Sequence, residues 1–133
     1  MVTINEKTKS LVEELTKEHD ITVIWDKDPN SRFQESVSKL KKQMVLKTNI
    51  EIEDFDRLFE QHNVDYAVKR DQEMFIFNAL HGIGHFKLDL WTPNTQNKIH
   101  NRLVNFNQDR EIDKWAFKQL NSLGKKMKTS HGK

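Results

Sequence analysis

Apolar side chains recur at helical spacing through Ile4, Leu11, Val12 and Leu15, with Thr8 and His19 on the same side, so residues 4–19 read as an amphipathic helix. Ile21, Val23 and Trp25 then alternate with Thr22 and Ile24 in a β-branched run that Asp26-Lys27-Asp28-Pro29-Asn30 stops, the pattern of a short strand and a turn. Capped by Asn30 or Ser31, a second helix would gather Phe33, Val37, Leu40 and Met44 within about 60° of one another on a helical wheel. Thr48-Asn49-Ile50-Glu51 has the form of a capping box, with Glu51, Glu53 and Asp54 in the first turn. A third helix is expected there, burying Phe55, Leu58 and Phe59 and ending near Asn63.

The period changes to two at Val64, Tyr66 and Val68. Met74-Phe75-Ile76-Phe77 is a continuous apolar run of the kind found in central strands. Phe86, Leu88 and Leu90 alternate with His85, Lys87, Asp89 and Trp91, which adds a third strand to an antiparallel meander. After Thr92-Pro93-Asn94-Thr95, a short helix carries Ile99, Leu103, Val104 and Phe106, and a last one runs from Gln108 to Lys126. The expected order is α-β-α-α-β-β-β-α-α, an α+β fold in which a small, mainly antiparallel sheet is packed by helices. Residues 1–128 form a single domain in this reading, and 129–133 are a frayed tail.

Composition narrows the function classes. With 133 residues and no cysteine, disulfide scaffolds, thiolate metal sites and thiol nucleophiles are excluded. No stretch approaches the roughly 18 to 20 apolar residues of a membrane span, and MVTINEKTKS lacks the apolar core of a signal peptide. A cytoplasmic protein without membrane contact is expected. The net charge of +2 hides an asymmetry: residues 1–73 carry −4 and residues 74–133 carry +6. An anionic partner for the second half follows from that pattern.

His81-Gly82-Ile83-Gly84-His85 is the most enzyme-like sequence in the chain. Two histidines four apart share a helix face, but two glycines within five residues argue for a hairpin turn. In extended chain the imidazoles would then stand roughly 13 Å apart, too far to share an ion. Asp89, His62 and His100 are candidate third ligands, none of them fixed by spacing. Neither a metal nor a cofactor is therefore expected. His85, Lys87 and Asp89 would project from one strand face, and His81, His85 and Lys87 form the set that a metal-independent ribonuclease needs. The chain has no phosphate-binding loop, no G-x-S-x-G elbow and no H-E-x-x-H sequence.

The last helix places Ile112, Ala116, Leu120, Leu123 and Met127 on an apolar stripe, with Arg110, Lys114, Lys118, Asn121 and Lys125 on the far side. A basic row bordered by an aromatic ring suits single-stranded nucleic acid, phosphates on the cations and bases on the ring. The leading expectation is thus a non-enzymatic DNA- or RNA-binding protein of the kind that phages or mobile elements encode. It would use Lys98, Arg102, Arg110, Lys114, Lys118 and Lys125, with Phe117 as the stacking ring. The alternative is an inhibitor that engages a basic protein through the acidic block from Glu51 to Glu73, where Glu53 and Asp56 would face the partner. The ribonuclease reading ranks third.

Overall fold

In a computed structural model the described residues are 2–27, 35–50, 70–91 and 95–131, apart from the side chains of 35, 50, 70, 71 and 124–131. β1 (Val2–Thr3) leads into α1 (Glu6–Glu18), where Asn5 is the N-cap and its Oδ1 accepts from the Thr8 backbone N–H at 2.8 Å. That bond satisfies one of the amides that the first helical turn leaves open. Thr8, Val12 and Thr16 form the buried face of α1 at four-residue spacing. The helix ends where Asp20 turns left-handed (φ 57) and the Ile21 N–H reaches back to the Thr16 carbonyl at 3.0 Å, a Schellman closure with aspartate in the position glycine usually takes.

The chain then enters β2 (Thr22–Asp26), as its alternation predicts. The next expectation fails. The stretch expected as a second helix is a hairpin of β3 (Glu35–Ser38) and β4 (Gln43–Lys47), paired antiparallel with Val37 opposite Met44. Helical spacing of Val37, Leu40 and Met44 competes here with strict alternation in β4, where Met44 and Leu46 are buried and Gln43, Val45 and Lys47 are half-exposed. Alternation wins because β2 offers a parallel partner, pairing Val23 with Met44 and Trp25 with Leu46. Leu40, at the turn, is almost fully exposed. The three-stranded sheet has the order β2-β4-β3 and is mixed rather than mainly antiparallel. β5 (Asn49–Ile50) pairs antiparallel with β1. Phe33, the expected helix from Glu51 to Asn63 and the strand expected at 64–69 lie outside the described residues.

The largest correction concerns the centre of the chain. Met74 to Phe77 belong not to a strand but to α2 (Arg70–Leu88), which also absorbs the supposed turn at His81 to His85 and the supposed strand residues Phe86 and Leu88. An apolar run of this length fits a buried helix as well as a buried strand. Burial decides it: every described residue from Gln72 to Leu80 is buried, on all sides of the helix. Gln72 shows how the interior stays satisfied. Its Oε1 accepts from the Asn5 N–H at 2.9 Å while its Nε2 donates to the Thr3 carbonyl at 3.1 Å, tying the N-terminal segment to α2.

The two expected C-terminal helices are one, α3 (Lys98–His131), capped by Asn97, whose Oδ1 accepts from the His100 N–H. α3 runs antiparallel to α2, since Phe77 stacks on Phe117 (centroids 4.5 Å apart) while Gly84 lies against Ile112. Met44, Met74, Ile76, Ile83, Ile112, Leu120 and Val12 are the largest fully buried apolar side chains among the described residues, each worth about 1.5–3 kcal/mol over an exposed position. The α+β class expected from the pattern is the class observed, although the element order differs. None of the described helices is long and apolar enough to cross a membrane.

Candidate metal centre

Two close approaches explain why glycines sit inside a helix, where each costs about 1 kcal/mol relative to alanine. A Cβ on Gly82 would lie 2.7 Å from Met44 Sδ, and one on Gly84 would lie 2.8 Å from Ile112 Cγ2 and 3.2 Å from Trp115 Cε3. Gly82 thus lets α2 settle on β4, and Gly84 lets α3 settle on α2. Neither has a left-handed backbone. The glycines serve packing rather than a turn, and so the premise that kept the two histidines apart does not hold.

On the helix, His81 and His85 share a face with ring centroids 5.2 Å apart. α3 brings two carboxylates to the same place: His81 Nδ1 is 3.0 Å from Asp113 Oδ1, and His81 Nε2 is 3.5 Å from Asp109 Oδ1. One ligand atom each from His81, His85 and Asp109 lies within 4.8 Å of the other two. Tetrahedral zinc bound at 2.0–2.1 Å requires ligand atoms about 3.3 Å apart. The three groups thus stand within about 1.5 Å of that spacing.

The hydrogen bonds also set the chemistry of each ring. His85 Nδ1 is 2.8 Å from the Leu90 carbonyl, which can only accept, so Nδ1 carries the proton and Nε2 is left with its lone pair. His81 Nδ1, facing the Asp113 carboxylate, is held the same way. Imidazoles that give one N–H to a carbonyl or carboxylate and offer the other nitrogen to an ion are the usual arrangement in metal sites. Burial pushes the His85 pKa below its ordinary value, with the nearby His81 adding to the effect and the Leu90 bond and the two aspartates opposing it. The neutral, ligating form is therefore favoured near neutrality.

Trp91 closes the site on the other side. Its indole stacks on His85 at 5.7 Å between centroids and meets Phe86 edge-on at 4.9 Å. Trp25 is half-buried against the core, with its Nε1 donating to Glu13 at 3.0 Å, whereas Trp91 covers a histidine.

Of the ribonuclease set, His81 and His85 come together but Lys87 does not join them. His85, Lys87 and Asp89 share no strand face, because His85 and Lys87 lie on α2 and Asp89 lies in its C-terminal cap. Residues two apart on a helix point about 160° from each other. Lys87 is exposed. Phe117 cannot stack on a base as placed, since it is 3% exposed and packed on Phe77. Lys98, Arg102, Arg110, Lys114 and Lys118 are all exposed on α3, with Lys114 3.7 Å from Glu111. The Lys125 side chain, like Glu53 and Asp56, is outside the described residues.

Asp109 and Asp113 are the residues that the sequence reading passed over. Their signal was present as a second i, i+4 pair, on the inner face of the last helix, matching the histidine pair in spacing. The spacing of His81 and His85 is also that of helical H-E-x-x-H zinc sites, in which the residue after the first histidine is the general base. Here that residue is Gly82, and Met44 occupies the space beside it. Comparison with protein-family models, curated proteins and solved structures finds no match.

Proposed function

We propose that the protein binds a divalent transition-metal ion between α2 and α3 through His81, His85 and Asp109. The observation that carries this reading is the convergence of the three ligand groups from two helices, within 4.8 Å of one another. Two imidazoles and one carboxylate suit zinc and its first-row neighbours better than magnesium or calcium, which favour all-oxygen shells. Three protein ligands leave the remaining position to water or an exogenous donor, where the ion acts as a Lewis acid. Glycine at 82 leaves that position without the base that H-E-x-x-H sites carry there. Metal binding is the activity proposed.

The test is titration of zinc(II) or cobalt(II) into chelator-treated protein. The expected result is one equivalent bound, a visible cobalt spectrum of low-coordinate character, and loss of both in the His81→Ala/His85→Ala double variant. Absence of stoichiometric binding at micromolar protein overturns the proposal, as does unchanged binding by the double variant.

Nucleic-acid binding by α3 stands as a second reading, favoured by one observation. Phe106 is exposed and the Arg110 guanidinium lies 6.0 Å from its ring centroid, so the basic row has an aromatic neighbour on the surface even though Phe117 is buried. Single-stranded oligonucleotide binding that weakens steeply with salt and falls in Arg110→Ala and Phe106→Ala supports it. No binding at low salt refutes it.

A further inference from the structure

The C-terminal cap of α2 does more than end the helix. Asp89 is left-handed (φ 52), and the Leu90 N–H returns to the His85 carbonyl at 3.1 Å, closing a Schellman-type turn whose donor and acceptor span the ligand itself. The same turn brings the Leu90 carbonyl to His85 Nδ1. Meanwhile the Asp89 carboxylate accepts from Trp91 Nε1 at 2.7 Å, and the indole so held is the ring stacked on His85. His85 is thereby fixed along an edge by a carbonyl and across a face by an indole. The first restraint runs through the Asp89 backbone and the second through its carboxylate, with Phe86 edge-on to the indole and Lys39 Nζ 5.6 Å from its centroid as further contacts.

We propose that Asp89 is a positioning residue for the metal ligand His85: its backbone presents the Leu90 carbonyl to Nδ1 and its carboxylate seats Trp91 against the imidazole. This inference rests on the metal-binding reading. The ion pair of Asp89 with Lys39, 3.6 Å long and exposed at both ends, contributes little by comparison.

Two substitutions separate positioning from support of the fold. Asp89→Gly keeps the left-handed turn and removes the indole's acceptor, whereas Asp89→Asn tolerates the same backbone and keeps an oxygen acceptor for the indole. Both remove the charge opposite Lys39. Zinc affinity is measured by chelator competition, thermal midpoint by circular dichroism, and the seating of Trp91 on His85 by the ring-current shift of the His85 ring protons in metal-free protein. Asp89→Gly is expected to bind zinc about tenfold more weakly, in the range found for outer partners of metal ligands. Its midpoint should be unchanged or raised, and its His85 ring protons should lose the ring-current shift that the stacked indole imposes, while the Nδ1–H form held by the Leu90 carbonyl persists. Asp89→Asn is expected to match the wild-type chain in all three measurements. Wild-type affinity in Asp89→Gly overturns the inference, as does a loss of affinity that tracks a falling midpoint. Failure of the wild-type chain to bind zinc overturns the metal reading instead, and the ring-current shift still decides whether Asp89 seats Trp91 on His85.

Discussion

Gly84→Ala probes the contact on which the metal centre depends. The added Cβ would stand 2.8 Å from Ile112 Cγ2 and 3.2 Å from Trp115 Cε3, where carbon atoms prefer about 3.5–4.0 Å. A gap of about 1 Å must therefore open. Ile112 is fully buried and, being β-branched in a helix, is held near one χ1 rotamer, so relief falls on the separation of α2 from α3. Overpacking of this kind costs about 1–3 kcal/mol, and removing a glycine from a helix interior returns about 1 kcal/mol. The net expectation is a loss of about 0–2 kcal/mol in urea unfolding, with an unchanged m-value. Ile112→Ala removes the clashing methyl and by itself costs about 2–5 kcal/mol. In the double variant the new Cβ enters the space vacated, so the two changes should couple favourably by about 1–3 kcal/mol. The metal site should suffer more than the fold: a helix shift near 1 Å far exceeds the roughly 0.2 Å tolerance of metal–ligand distances. A stabilisation of about 1 kcal/mol by Gly84→Ala, as at an exposed helical glycine, would refute the reasoning. So would a cycle that closes within about 0.5 kcal/mol.

Three further outcomes are expected. With its pKa lowered in the folded state, His85 binds fewer protons there than when unfolded; its contribution is complete above about 6.5 and is lost as pH falls through the folded pKa. The thermal midpoint should decline over that interval, and His85→Asn should flatten the decline; an equal slope in both proteins removes His85 as the cause. Asn5→Ala deletes the cap on Thr8 and should cost about 1 kcal/mol in chemical denaturation, and a change below about 0.3 kcal/mol would contradict the capping geometry. Phe117→Ala should cost about 3–5 kcal/mol as a core truncation and the exposed Phe106→Ala less than about 0.5 kcal/mol, an order that reverses if Phe117 is a surface stacking ring.

Where burial is one-sided, the pattern of apolar residues was sufficient. α1 and β2 each have a buried side and a solvated side, so periods of 3.6 and 2 appear directly in Thr8, Val12 and Thr16 and in Val23 and Trp25. α2 is buried all round, and a run such as Met74 to Phe77 then has no period from which helix and strand can be told apart. The β3–β4 hairpin was obscured for another reason, because Val37 and Met44 satisfy a helical wheel as well as a cross-strand pair. Only the presence of β2 beside β4 selects between them.

The candidate site divides along the same line. By itself, the sequence determined that any metal must rest on histidine and carboxylate, since the chain has no cysteine, and that His81 and His85 stand four residues apart. Tertiary structure decided that this spacing is helical, because the two glycines meet Met44 and Ile112 rather than turning the chain. It also decided that Asp109 and Asp113, about thirty residues further on, arrive at the same imidazole. Helix periodicity fixes which residues share a face, but which faces meet depends on packing between elements distant in sequence, and that is where the metal centre is made.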